Sequence, residues 1–502
     1  MLAAILIGGL FAQLGAVINH DTAWYLHTAG KWLDGGRLYR DVFVEVNPPL
    51  GFYLTAPPVV LARLSGLFAV DLFVVYLYAL IGMSLVMLWL LLRGRPILPA
   101  SLRNGLILIA AVIFTVSPAD QFGQREHFLM VLVLPYLALA ALRAAGESAS
   151  WPLTTLIGVA AALGFALKPH YLLVPVALEV YRIVMTGRMR TAMRPETLAL
   201  AATCALYAVS VALFTPDYLT RIDPYALEVY NEAYRNPLWV NLWRAEIILL
   251  PFGCLAQLAT RRAQRLPGLA DVFLIASVCF FVAYVVQMKG WSYHLYPAST
   301  CLMLAYAAIF LNGLDGLARG PTALDGRGRG SGIVLGALAV VVMLVATDAI
   351  RGGYRNRFME AMTPHVEQHA AGGSIAIFTS NVWPGFPMVN YSGVSWSSRF
   401  PTLWLLPGAQ QRRHAPDGKN NALLDEIEQF TRDAVVADLT RQPPDLVIVD
   451  NRAKKSYFGT MTFDYLEFFL EDPRFARIWD DFEWIGDEGD YRLYRRRCAP
   501  DC

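Results

Sequence analysis

Long apolar blocks alternate with short polar ones through the first 350 residues, and the pattern breaks only after that point. Blocks long enough to cross a bilayer, about 16 to 23 residues each, lie near 1–18, 70–92, 103–118, 127–143, 153–167, 171–186, 196–214, 245–260, 270–287, 295–317 and 333–350. The pattern predicts about eleven transmembrane helices. Residues 50–68, "LGFYLTAPPVVLARLSGLF", fit less well, because paired prolines flank and interrupt the segment and Arg63 divides it. They are read as an interfacial or half-inserted helix.

With that assignment, alternate loops read "RGRPILPASLR", "RAAGESAS", "GRMRTAMR", "RRAQR" and "RGPTALDGRGRG", with a clear excess of arginine. The positive-inside rule places this set in the cytoplasm. The opposite set holds 19–69, 119–126, 215–244, 288–294 and the loop "LKPHY", and it carries most of the histidines, the Trp and Tyr clusters and the isolated acids. One face is patterned for topology and the other for chemistry. Residues 1–350 therefore form the expected transmembrane part, and 351–502 an extracytoplasmic soluble domain. There "SIAIFTS" and "DLVIVD" read as buried strands and "NALLDEIEQFTRDAVVADL" has helical periodicity, which predicts a small α/β or α+β domain.

Composition agrees with a polytopic α-helical membrane protein: 56% of residues are hydrophobic, 16% are charged and the mean hydropathy is +0.42. A net charge of +2 leaves no basic face to neutralise a nucleic-acid backbone, so membrane lipids and not nucleic acids are the expected surroundings. Cys204, Cys254, Cys279 and Cys301 fall inside apolar blocks and read as small hydrophobes. Cys498 and Cys502 could bridge in an oxidising compartment. The chain has no CxxC or HExxH pattern, so no metal ligand is assigned and a divalent cation is the sole cofactor candidate. The first eighteen residues lack a basic n-region and are read as a retained span.

The polar run "HDTAWYLHTAGKWLDGGRLYRDVFVEVNPPL", residues 20–50, is the densest chemistry in the chain. His27, Lys31 and Asp34 share one helical stripe among aromatic and aliphatic neighbours, and Gly35-Gly36 stops the helix, which predicts a helix lying at the membrane surface. Asp21 reads equally as that helix's N-cap or as a catalytic carboxylate. Glu45 is a second candidate carboxylate, and Asn47-Pro48-Pro49 fixes the loop's shape.

An acid just after the first span, a Trp/Tyr-bearing surface helix, "DGGRLYRDV" and then "NPPL" resemble the first outer loop of the GT-C superfamily of integral membrane glycosyltransferases. This group includes protein O-mannosyltransferases and lipid A aminoarabinose transferases. The layout of about eleven spans and an outer domain is similar too, and "GQREH" is a weaker match. The resemblance implies transfer of a sugar from a polyprenyl-phosphate carrier to a glycan, lipid or protein acceptor outside the cytoplasm. The preference for Arg over Lys with Ala/Leu/Gly-rich spans points to the inner membrane of a bacterium, with the active face in the periplasm. Asp21 matches the family's first acid and Glu126 its second, while His20 stands where some members carry an adjacent acid.

Displacement at an anomeric carbon needs a base for the acceptor hydroxyl, and Asp21 could supply it. It also needs positive charge where the leaving phosphate gains negative charge. Arg125, His127, Lys168, His170, Lys289 and His294 come from three loops of the same expected face, with His20 beside Asp21 and Trp291 and Tyr293 as sugar-stacking rings. Each has a plainer reading, as an ion pair, a snorkelling lysine or an aromatic belt. The Trp- and Asn-rich stretch 379–404 could line a carbohydrate or acceptor surface or pack the outer domain onto the transmembrane part. A transporter for a lipid-linked sugar would place charges mid-membrane and repeat itself, neither of which is evident, and a non-catalytic assembly subunit would tolerate loss of Asp21.

Overall fold

A computed structural model describes residues 1–187, 193–318, 356–415 and 421–497. The apolar block 333–350, the Gly/Arg link, Arg351, Arg355 and the Cys498/Cys502 pair lie outside the described residues. The chain divides into two compact units.

The first unit contains Met1–Val17, Asp71–Val209 and the described residues from Asn236 to 318. Every predicted apolar block here is a helix: Leu2–Leu14, Ala69–Leu92, Ala100–Thr115, Arg125–Ala144, Trp151–Phe165, Leu173–Thr186, Pro195–Phe214, Glu246–Thr260, Pro267–Gln287 and Ser292–Ala318. Among the described residues, five are long and apolar enough to cross a membrane: Ala69–Leu92, Arg125–Ala144, Pro195–Phe214, Pro267–Gln287 and Ser292–Gly316. The chain is a multi-pass membrane protein. Arg125–Ala144 is the central helix, with 83% of its apolar window buried, and Pro195–Phe214 is peripheral at 11%.

Much of the arginine excess that set the topology is held in ion pairs between helix ends. Arg143 binds Glu196 through two hydrogen bonds of 2.8 and 3.1 Å. Arg95 meets Glu147 at 2.7 Å, Arg261 meets Asp271 at 3.0 Å and Arg265 meets Asp315 at 3.1 Å. These pairs fix which helix ends are neighbours.

The second unit joins Ile18–Val70, Ser210–Arg235 and the described residues from 356 to 497. A sequence boundary at 350 divides the chain differently, because the structure gathers two early segments into the same core as the C-terminal residues. Five strands make one sheet in the order β2-β1-β3-β5-β4. β1 (Ser374–Phe378) pairs in parallel with β2 (Ser395–Trp396) and β3 (Leu446–Asp450), and β3 pairs antiparallel with β5 (Tyr491–Arg496), which forms a hairpin with β4 (Phe482–Glu488). The two predicted strands are β1 and β3, buried at every position as a central pair should be. The predicted helix spans Asn421–Arg441.

Hydrogen bonds between residues more than 350 apart in sequence tie the early segments to this sheet domain. Val44 N donates to Arg399 O at 2.8 Å, Trp404 Nε1 to Val44 O at 3.0 Å and Arg399 Nη1 to Arg40 O at 2.7 Å. Asn390 Nδ2 reaches Ala23 O at 3.1 Å. Arg399 is itself oriented by the buried Asp438, with side-chain contacts of 2.9 and 3.1 Å. Tyr225 OH donates to Glu426 Oε1 at 2.7 Å, anchoring the second segment.

The helix His20–Leu33 is thus a core element of this unit, where a surface helix was expected. Trp24 is buried between Phe43, at 5.8 Å between ring centroids, and Phe386, at 5.1 Å. The reason lies in 379–404: Trp396 and Trp404 are buried, and Trp396 Nε1 is spent on Phe400 O at 2.9 Å. Part of that stretch packs against the N-terminal loop, with Trp404 Nε1 on Val44 O and Asn390 Nδ2 on Ala23 O. The helix Leu50–Ser65 buries Leu50, Phe52, Thr55, Ala56 and Val59 and leaves Leu61, Leu64, Leu67 and Phe68 exposed beyond Pro57-Pro58.

Candidate active site

Polar groups from separate loops of the first unit converge on one carboxylate. Glu126 stands in the first turn of Arg125–Ala144, where free helix amides favour negative charge, and it is fully buried. Lys168 Nζ donates to Glu126 Oε1 at 2.5 Å, Tyr171 OH donates to the same atom at 3.1 Å, and His294 Nε2 lies 3.9 Å from it.

Local chain chemistry presents each of these groups. Lys168 precedes Pro169, which forces it into an extended conformation (φ −143°, ψ 122°) just before the short 3-10 turn Pro169–Leu172. That turn carries Tyr171 three residues further on. The sequence reading missed Tyr171, although the Lys-to-Tyr spacing in "LKPHY" was a usable signal.

Lys289 and its neighbours come from a tight turn. Met288 (φ 54°) and Gly290 (φ 69°) both occupy the left-handed region. Asn236 N donates to Met288 O at 2.6 Å, Asn236 Nδ2 to Lys289 O at 2.5 Å, and Arg244 Nη2 to Gly290 O at 2.5 Å. Asn236 and Arg244 are therefore positioning residues that composition alone did not single out. Trp291 and Tyr293 stack at 5.7 Å, and His294 makes edge contacts with both, at 5.2 and 4.4 Å. Lys168 Nζ lies 5.7 Å from the Tyr293 ring centroid.

Arg125, Lys168 and Lys289 are all buried, each about 5–6% exposed. All three act electrostatically on His294, together with His170. Of these three bases Lys168 is the one in contact with Glu126. Burial first, and then Lys168, lower Lys289 to about 7. Burial, followed by Lys168, lowers His170 to about 4, with Glu126 opposing. The other Glu126 oxygen, Oε2, is buried and has no hydrogen-bond partner among the described residues.

His127 plays a different part. Phe114, Phe122 and Tyr296 enclose its ring, and its Nδ1 accepts from Gly123 N at 3.2 Å. It locks the turn that launches the central helix.

The remaining candidates belong to the second unit. Asn19, not Asp21, is the N-cap of His20–Leu33: Asn19 Oδ1 accepts from Asp21 N at 3.0 Å. Asp21 is thereby released from capping and stands in the helix's first turn with its side chain 18% exposed, 3.6 Å from His20 Nε2. Glu45 is buried and its Oε1 accepts from Asn47 N at 3.3 Å and from the Asn47 side chain. Tyr39 OH donates to Asn47 O at 2.5 Å. Glu45 and Asn47 together shape the loop that leads into Pro48-Pro49.

No protein-family model and no curated protein matches the sequence. Solved structures do. ArnT from Cupriavidus metallidurans bound to undecaprenyl phosphate superposes with a TM-score of 0.53 at 12% identity, over 98% of this chain and 97% of that one. The same protein in the apo state gives 0.51 at 13%, over 98% and 96%. Arabinofuranosyltransferase AftD from Mycobacteria gives 0.48 at 14%, over 99% of this chain and 40% of that one. At these identities the likeness shows the fold alone: the chain has an ArnT-like architecture.

Proposed function

We propose that this protein is a glycosyltransferase that moves a sugar from a polyprenyl-phosphate carrier to an extracytoplasmic glycan, lipid or protein. The observation that carries the reading is the buried cluster of Arg125, Lys168 and Lys289 around Glu126. Three strong bases held at low exposure in one neighbourhood form a cationic lining that suits an anion. A lipid-borne phosphate, such as the undecaprenyl phosphate in the ArnT structure, meets that need without crossing water.

In this reading about eleven helices span the inner membrane of a bacterium, and the C-terminal sheet domain faces the periplasm. Asp21 takes the proton of the acceptor hydroxyl, and the anomeric carbon is displaced directly with inversion. The basic cluster stabilises charge developing on the departing phosphate, where low polarity strengthens each contact. Glu126 is engaged by Lys168 and Tyr171, so its role is to hold the cation in place. A divalent cation is left out of this scheme.

The test is sugar transfer by purified protein in lipid nanodiscs, from a panel of polyprenyl-phosphate sugars, comparing wild type with Asp21→Asn. Product from wild type alone supports both the class and the base. Transfer that survives in Asp21→Asn removes Asp21 from the chemistry. A wild-type protein that binds no polyprenyl phosphate overturns the reading.

A further inference from the structure

Asp21 owes its position to the way the helix His20–Leu33 begins, and that beginning is held by a later part of the same unit. Two consecutive side chains of the short helix Met388–Ser392, in the connection from β1 to β2, reach the chain on either side of Asp21. Tyr391 OH accepts from Ile18 N at 3.3 Å, and Asn390 Nδ2 donates to Ala23 O at 3.1 Å. Ile18 is buried and precedes the N-cap, so its amide has no place in the helical ladder and needs an acceptor from elsewhere. Between these two ties, Asn19 Oδ1 accepts from Asp21 N at 3.0 Å. The backbone is thereby fixed at residues 18, 21 and 23.

The support behind Asn390 and Tyr391 is tightly packed. Phe386 is buried against the Trp24 ring at 5.1 Å between centroids, the His27 ring at 5.5 Å and the Trp396 ring of β2 at 5.2 Å. Gly385 permits this approach, since a Cβ there would stand 3.0 Å from the Trp396 ring. Met388 and Val389 are buried, and the Tyr391 ring meets Phe68 edge-on at 5.5 Å. The sheet is thus coupled to the residues around Asp21 through packed rings and two hydrogen bonds.

A general base works only within hydrogen-bond reach of the proton it takes. A misplacement of about 1 Å costs about 10²-fold in rate, even when its origin is remote from the reacting atoms. Resting on the reading of Asp21 as the base, we propose that Asn390 and Tyr391 are positioning residues of the transfer reaction. They hold the backbone at residues 18 and 23 so that the Asp21 carboxylate stands at the acceptor hydroxyl. The sheet domain then acts on kcat, while the grip on the carrier phosphate belongs to residues of the first unit.

The test is sugar transfer by the full-length protein in nanodiscs over a range of donor concentrations, with folded enzyme counted by its binding of undecaprenyl phosphate. Asn390→Leu keeps the volume and loses the donor, and should lower kcat about tenfold. Asn390→Leu/Tyr391→Phe should lower it about 10²-fold, with the donor KM within about twofold of wild type in both variants. Tyr391→Phe alone, which removes one oxygen atom, should lower kcat about threefold and carries the test if the leucine variant is not recovered. A merely structural tie would reduce the yield of folded protein and leave kcat per carrier-binding enzyme untouched. With Asp21→Asn inactive, a kcat in these variants within about twofold of wild type overturns the proposal and leaves Asp21 as the base. A loss carried by the donor KM at unchanged kcat overturns it as well. An Asp21→Asn variant as active as wild type overturns the reading of Asp21, and this proposal with it.

Discussion

Replacing Lys168 by Met removes the cation from a pair whose side chains are 7% and 0% exposed and in contact at 2.5 Å. The methionine fills a similar volume, so the principal loss is charge. Breaking a buried pair from one side costs about 3–5 kcal/mol, because the other charge is left uncompensated. Here the lower end, about 3 kcal/mol, is expected, since Tyr171 still donates to the carboxylate at 3.1 Å and His294 is 3.9 Å away. Removing both charges in Lys168→Met/Glu126→Gln leaves a neutral acceptor for Tyr171, so the double variant should be more stable than Lys168→Met by about 1.5 kcal/mol or more. Thermal unfolding in nanodiscs, followed by tryptophan fluorescence, gives the ranking. At about 2–4 °C per kcal/mol, Lys168→Met should melt about 6–12 °C below wild type. Additive effects, with the double variant equal to the sum of the singles within about 0.5 kcal/mol, would refute the pairing.

Other substitutions probe the second unit. Arg399→Met should strand the buried Asp438 with only Arg441 and the backbone amide of residue 399, at a cost of about 2–3 kcal/mol at neutral pH. Burial already raises Asp438, and losing Arg399 raises it further. The folded state of the variant then holds a proton that the unfolded chain releases above about pH 4. Its deficit should therefore grow from pH 5 to pH 7, with faster amide exchange at residues 40–44, and a deficit equal at both pH values would contradict the assignment. Gly408→Ala puts a methyl group 1.9 Å from Val229 O and 2.5 Å from its carbonyl carbon. Backbone cannot yield as a side chain does, so a loss above about 3 kcal/mol and poor recovery from the membrane are expected; a melting point equal to wild type would show that the two segments do not meet.

The helices were legible because their signal is additive over many residues, as the agreement at 70–92 and 270–287 shows. The central strands were legible for the same reason. The partition of the chain was not, since contacts such as Trp404 Nε1 to Val44 O join positions 360 apart, and no local pattern records them. Lys168, Lys289 and His294 were found because cations near span ends are conspicuous, whereas Tyr171 and Asn236 look like ordinary loop residues until their partners are known. Of the two readings of Asp21, the N-cap fell to Asn19 for a local reason: both residues accept amide protons well, and backbone geometry decides which of them begins the helix.

The joining of early and late segments in one core also sets a clock. Residues 18–70 leave the ribosome first, yet Arg399, Trp404 and Asn390, which hold them, are made hundreds of residues later. At about 5–20 residues per second, that interval is tens of seconds. During it the loop that carries Asp21 has no sheet domain to lean on, and loop closure over such a distance adds its own delay. A nascent or truncated chain thus has its helices before it has this loop in working shape. The core that holds this loop is completed only with the last third of the polypeptide.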